Sequence, residues 1–313
     1  MGQDKNSVEK KNSGQNRVPS MEKLNATMIS HARQIAHQIG ASAVLVYVGI
    51  IKSREQLMAL LKERRCILAA QHPDVIDDLA AMEGAEDRII RVPYMNLTRQ
   101  SQVKVAAMLA LSRGMIKEGD RIVCLTGSPT HKIFDSLTVM DVGREFEMFS
   151  SKDLAIIGKM DNPHVFDRLL TLTLELAEEG KEGKPLGAIF ILGDAQKVME
   201  FSSQMVINPF AGVPEAQRNI MDDQLKETIR EFATIDGAFV IRSDGVILAA
   251  GRHLKASTEN GGLPQGLGAR HRSAAGITAL TDAIALVISE STGGVRIFGQ
   301  GQMFMEIEKA GRK

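Results

Sequence analysis

Short apolar runs that show no alternation constrain this chain most. The runs at 43–48, 66–70, 122–125 and 188–192 are hydrophobic at consecutive positions, and each is preceded by a segment with apolar residues at helical spacing. A strand exposed on one face would alternate polar and apolar side chains; a continuous run must be covered on both faces, as in a parallel sheet flanked by helices. The pattern predicts helices over 24–39, 57–61, 74–82 and 100–116, and strands over 43–48, 66–70, 88–92 and 121–125. Gly40 stands where a glycine ends a helix. Strict alternation of helix and strand implies right-handed crossovers, so the first unit is expected to be an α/β domain with a parallel sheet.

The whole chain has 313 residues, enough for about two domains. Lys plus Arg and Asp plus Glu number 38 each, so any anion site must be local, and neither a nucleic-acid partner nor a membrane surface is expected. There is no apolar run long enough for a transmembrane helix or a signal peptide, and the two cysteines, Cys66 and Cys124, sit inside apolar runs as core thiols do. A cytoplasmic protein is the expectation. Residues 1–20 are polar and rich in Lys, Asn, Ser and Gly, which predicts a disordered tail.

The second unit is expected to open with Asn162 capping a helix that has Pro163 at its first position and Phe166, Leu169, Leu170 and Leu176 on its core face. An extra strand is expected at 145–149, a strand at 188–192, and helices from Asp194 and over 223–232. Asp236 and Gly237 then lead into the apolar run 238–241. Asp-Gly alone marks a turn, and Asp244-Gly245, between FVIR and VILAA, reads simply as a hairpin. Arg270-His271-Arg272 follows a Gly-Leu-Gly turn and precedes an expected helix at 273–284. A glycine turn before a helix, with guanidinium forks, suits phosphate; the plain alternative is a solvated basic turn. Ser289-Glu290 ends the run 285–288, where a parallel sheet would display functional side chains. No GxxxxGK[ST] loop, HExxH or CxxC pattern occurs.

Taken together, IDGAFVIRSDGVILAAGRHL and LGARHRSAAGITALTDAIALVISESTGG resemble the catalytic domain of the diadenylate cyclases, which join two ATP molecules into cyclic di-AMP with release of two pyrophosphates. The resemblance implies a mixed-sheet α/β cyclase domain over 141–313. It further implies catalytic roles for Asp236, Arg270, His271 and Arg272, and nucleotide contacts from Asp236, Gly237, Ala238, Leu254, Gly268, Ala269, Arg270, His271, Arg272 and Ser289. A divalent metal, Mn²⁺ or Mg²⁺, is implied at Asp236 and Glu290. His271 either contacts phosphate or orients the metal. The chain departs from the usual pattern at Ser291, where a second glutamate is frequent, at Ala269, where threonine is common, and at Ile235, where some branches carry histidine. The pattern KEGDRIVCLTGSP in 21–140 resembles a pyruvate kinase C-terminal domain, without the catalytic barrel of about 250 residues. One Asp236 and one Arg270-His271-Arg272 per chain imply a homo-oligomer with cyclase domains face to face. The alternatives from other classes are a non-catalytic module sensing ATP or cyclic di-AMP, and a structural partner domain.

Overall fold

The computed structural model describes residues 20–51, 53–62, 65–144, 162–256 and 267–311. The expected tail and the strand expected at 145–149 lie outside the described residues. The first sheet has the order β3-β2-β1-β4-β5. Its strands are β1 (Ala43–Tyr47), β2 (Cys66–Ala70), β3 (Ile89–Arg91), β4 (Arg121–Ser128) and β5 (Ile133–Asp141). Strands β1 to β4 are parallel, joined through α1 (Met21–Gln38, ahead of β1), α2 (Arg54–Leu61), α3 (Pro73–Ala80) and α4 (Arg99–Ser112). Ser20 and Thr98 accept from the first-turn amides of Lys23 and Ser101, which fixes where α1 and α4 begin.

The sheet is not wholly parallel, as the sequence pattern implied. β5 runs antiparallel to β4 at the sheet edge. Its run IFDSLTVMD is interrupted by polar residues and half exposed, so it lacks the continuous apolar signal of a covered strand.

The second sheet has the order β12-β11-β10-β6-β8-β9-β7. It contains β6 (Ala188–Leu192), β7 (Ser202–Gln204), β8 (Ala238–Ile241), β9 (Ile247–Leu254), β10 (Ile284–Ile288), β11 (Val295–Gly299) and β12 (Gln302–Ile307). Only β6 and β8 pair in parallel; β10 is antiparallel to both of its neighbours. Among the described residues, four α-helices accompany this sheet: α5 (Pro163–Glu179), α6 (Ala195–Glu200), α7 (Leu225–Phe232) and α8 (Ala269–Leu280). Asn162 accepts from Val165 N, Pro163 takes the first helical position, and Phe166, Leu169, Leu170 and Leu176 are buried as expected.

Both faces of this sheet are covered. Phe190, Leu192, Phe239 and Ile241 join one apolar cluster, while Ile189, Ile191, Ala238 and Val240 join another with Ala274, Ala275 and Ile277 of α8. The first cluster does not stop at the second sheet. It continues without a break through β1, β2 and β4, so the two sheets share a core. Polar contacts reinforce the join: buried Asp167 of α5 accepts from Ser112 Oγ at 2.8 Å and Arg113 Nε at 2.9 Å, and Leu97 forms an antiparallel bridge with Lys309.

Candidate active site

A cavity of about 870 Å³ opens where β8 and α8 begin and β10 ends. Because β10 is antiparallel to β6, its carboxyl end lies beside the amino ends of β6 and β8. The site thus sits at the amino ends of the parallel pair, and the parallel-sheet reading of Ser289 and Glu290 is corrected accordingly.

Three charged side chains from separate segments meet there. Arg270 Nη1 donates to Glu290 Oε2 at 2.8 Å, and its Nη2 donates to Asp236 Oδ1 at 3.3 Å. Both carboxylates are open to solvent, Asp236 at 82% and Glu290 at 67% side-chain exposure, so the arrangement is accessible rather than a buried structural pair. Two glycines make it sterically possible. Gly237 has φ of +113°, and a Cβ there would lie 2.5 Å from the backbone carbon of Gly251. At Gly187, just ahead of β6, a Cβ would come within 2.8 Å of Arg270 Nη1 and 3.0 Å of Glu290 Cβ. Gly187 went unread in the sequence because its constraint comes from side chains far along the chain.

The Arg-His-Arg segment lies within the first turn of α8, and the helix expected at 273–284 is corrected at both ends, since it starts at Ala269 and stops at Leu280, with Ile284 opening β10. Gly268 occupies the N-cap without a capping side chain, and the first turn carries no acidic residue, which leaves amide N–H groups and the positive end of the helix directed at the cavity. Arg270 and His271 line the cavity; Arg272 is not among its described lining residues. The Arg272 guanidinium instead donates to Leu267 O at 2.7 Å and holds the segment leading into the helix.

His271 is buried, at 6% exposure. Burial foremost, and then the positive charges of Arg296 and Arg270, push its pKa down to about 4. Of the remaining expected contacts, Gly237, Ala238, Leu254, Gly268, Ala269, Ser289 and Glu290 all line the cavity. Ser289 is buried, with its hydroxyl 3.2 Å from that of Ser291. Met205, Arg252 and Arg296 also line it, and the sequence signalled none of them. Arg252 is fixed by Met199 O at 2.7 Å and by the Ser202 carbonyl and hydroxyl, contacts that only the pairing of β7 with β9 creates.

A diadenylate cyclase of Methanocaldococcus jannaschii is 30% identical over 305 residues, covering 90% of this chain and 96% of that protein. The chain belongs to the diadenylate cyclase family. A diadenylate cyclase of Haloferax volcanii is 33% identical over 222 residues, covering 71% of this chain and 80% of its own length. The cyclic di-AMP synthase CdaA of Bacillus subtilis is 38% identical over 78 residues, covering 25% of this chain and 28% of its own. The family described as DisA bacterial checkpoint controller nucleotide-binding matches residues 175–303, a span that contains Asp236, Arg270 and Glu290. Residues 24–149 of this cyclase chain match a family described as a probable sensor domain. The likeness of that region to a pyruvate kinase C-terminal domain rests on the sequence pattern alone.

Proposed function

We propose that the cavity binds one ATP and that two such chains, face to face, condense two ATP molecules into cyclic di-AMP and two pyrophosphates. The observation that carries this reading is the convergence of Asp236, Arg270 and Glu290 at the amino end of α8. Arg270 and the α8 amides bind phosphate oxygens, and the wall formed by Ile189, Leu254 and Met205 takes the less polar part of the nucleotide. Asp236 lies at the open side of the site, where its carboxylate orients the ribose 3′-hydroxyl that attacks the α-phosphate of the other ATP. The new bond is 3′-oxygen to phosphorus, the hydroxyl proton passing to the solvent-open Asp236 carboxylate; the bond broken is that to pyrophosphate, which leaves with its electron pair. The same step with roles exchanged closes the ring.

Asp236 and Glu290 suit a divalent metal, since both reach one cationic group and both are accessible. Mg²⁺-type ions are commonly held by one or two carboxylates with substrate phosphates completing the set. Among the described residues no cluster of three or more His, Cys, Asp or Glu could hold a metal unaided, as expected if the nucleotide supplies the other ligands. Mg²⁺ or Mn²⁺ bound there supplies neutralisation of the polyphosphate charge.

We assign cyclase function to the unit at 141–313 and a regulatory role to that at 21–140. A cytoplasmic location fits two buried cysteine thiols outside any described disulfide, and no described helix is long and apolar enough to cross a membrane. Incubating the protein with ATP and Mg²⁺ or Mn²⁺, and identifying the product by mass, tests the reading. Cyclic di-AMP is expected, with chelator abolishing its formation and with turnover per chain rising with protein concentration until pairing saturates. Formation of ADP, binding without turnover, or full activity in chelator would overturn it.

A further inference from the structure

The two nitrogens of His271 have opposite surroundings. Nε2 lies 3.0 Å from Arg296 Nη1. A guanidinium has donors only, so Nε2 must accept, and in a neutral imidazole the single ring proton then sits on Nδ1. The ring is neutral near pH 7, because burial and the flanking arginines disfavour its charged form. Nδ1 is itself buried and has no hydrogen-bond partner among the described residues. Its surroundings point to the nucleotide site: His271 lines the cavity, and a Cβ built on Gly268, the N-cap of α8, would lie 4.0 Å from Nδ1.

Arg296 is fixed in turn. Its Nε and Nη2 lie 2.7 and 2.6 Å from Glu306 Oε1, and the two residues are register partners across β11 and β12. Side-chain exposure of only 17% at Arg296 keeps the guanidinium out of bulk water. Glu306 lies just beyond the span 175–303 matched by the nucleotide-binding family.

We propose that Arg296, clamped by Glu306, is a positioning residue that holds His271 as the Nδ1–H tautomer, so that the imidazole donates a hydrogen bond to a phosphate oxygen of the bound nucleotide. This rests on the cyclase reading of the cavity. It decides between the two roles open to His271 in the sequence. A metal ligand needs a lone pair, whereas Nδ1, the nitrogen left without a partner, carries a proton; phosphate is the group it can serve. His271 is for the same reason not the base that accepts the ribose proton. Without Arg296, Nε2 becomes free to take the proton, and an Nδ1 lone pair would then face phosphate oxygen, an acceptor opposed to an acceptor.

The test is ¹⁵N NMR of the full chain near pH 7, with the His271 signals assigned by their loss in His271→Gln, alongside cyclase kinetics. Wild-type protein is expected to show protonated Nδ1 and unprotonated Nε2. In Arg296→Met the proton should move to Nε2, with kcat lower by about tenfold or more, as for a lost hydrogen bond to a charged group. The KM for ATP should change by less than about threefold, because the donor counts most as negative charge builds on that oxygen in the transition state. Arg296→Lys, which keeps a donor-only cation, should retain Nδ1–H and recover part of kcat. An Nε2–H tautomer in the wild type, or a Met variant with unchanged tautomer or unchanged kcat, overturns the proposal. Should the Met variant fail to fold, the wild-type spectrum and the Lys variant decide. Wild-type protein that makes no cyclic di-AMP refutes the cyclase reading, a result distinct from any tautomer assignment.

Discussion

Asp236 separates the roles of charge and structure cleanly. Its side chain is 82% exposed and its one described side-chain contact is the 3.3 Å bond from Arg270, so its charge contributes little to stability. Asp236→Asn should therefore abolish cyclic di-AMP formation while shifting stability by no more than about 0.5 kcal/mol. Product analysis and a denaturation curve on the same sample check both halves; retained turnover would return Asp236 to the status of a turn residue. His271 behaves in the opposite way. Its folded pKa of about 4 lies below the ordinary 6.5, so the unfolded chain binds more protons between those values. Its stabilising contribution is present above about pH 6.5 and is lost as pH falls towards 4. The stability difference between wild type and His271→Gln should shrink over that window, and equal pH slopes in the two proteins would show that the ring is not held neutral. At this scale the sequence displayed Asp236, Arg270 and Glu290 because each belongs to a compact motif. Arg296, Glu306 and Gly187 stayed silent, since their significance arises from strand register and from side chains many residues away.

The elements that sequence spacing located best are those with a single dominant signal. The apolar runs at 66–70 and 188–192 match β2 and β6 residue for residue, and Asn162-Pro163 marks the start of α5. The sequence pattern puts the start of α8 too late because Arg270-His271-Arg272 reads as a polar turn, although His271 is buried and Gly268 provides the cap position. Strand direction was less legible still. Apolar runs report coverage on two faces, not whether neighbours run parallel, and β10 is a fully buried strand in antiparallel surroundings. The junction of β8 with β9 yields a prediction at this level. Gly237→Ala must adopt φ of +113° and bring a Cβ to 2.5 Å from the Gly251 backbone, which cannot turn aside as a flexible side chain would. It should destabilise the protein by about 1–3 kcal/mol, and the turn carrying Asp236 should lose its geometry, so activity falls as well. Denaturant titration with cyclase assay checks this; a variant of wild-type stability would mean that the β8–β9 junction relaxes freely.

For the whole molecule, the sequence pattern suggests two units in succession, whereas the folded chain shows how closely they are joined. Each amphipathic segment reveals that it has a buried face but not which partner covers it, so the shared core could not be read from periodicity. One apolar cluster runs from Ile29 in α1 to Ile307 in β12. The chain's last described strand is secured to the first unit: Glu308 N donates to Ser101 Oγ at 2.8 Å, Ala310 N to Asn96 O at 2.7 Å, and Lys104 Nζ to Glu306 O at 3.4 Å. The Lys104 contact reaches the same β12 residue whose side chain clamps Arg296, which gives the first unit a physical route to the nucleotide cavity. Removing residues 1–161 would uncover the α5 face that meets α4 and leave buried Asp167 without Arg113. Breaking a buried ion pair costs about 3–5 kcal/mol, and partial exposure of Arg113 places this one at or below the lower end. The full chain should therefore unfold in one cooperative transition, coincident by circular dichroism and calorimetry, while a chain beginning at Asn162 should melt at a markedly lower temperature or fail to fold. Two separated transitions in the full chain, together with an unchanged melting temperature for the shortened one, would show that the common core is not energetically shared.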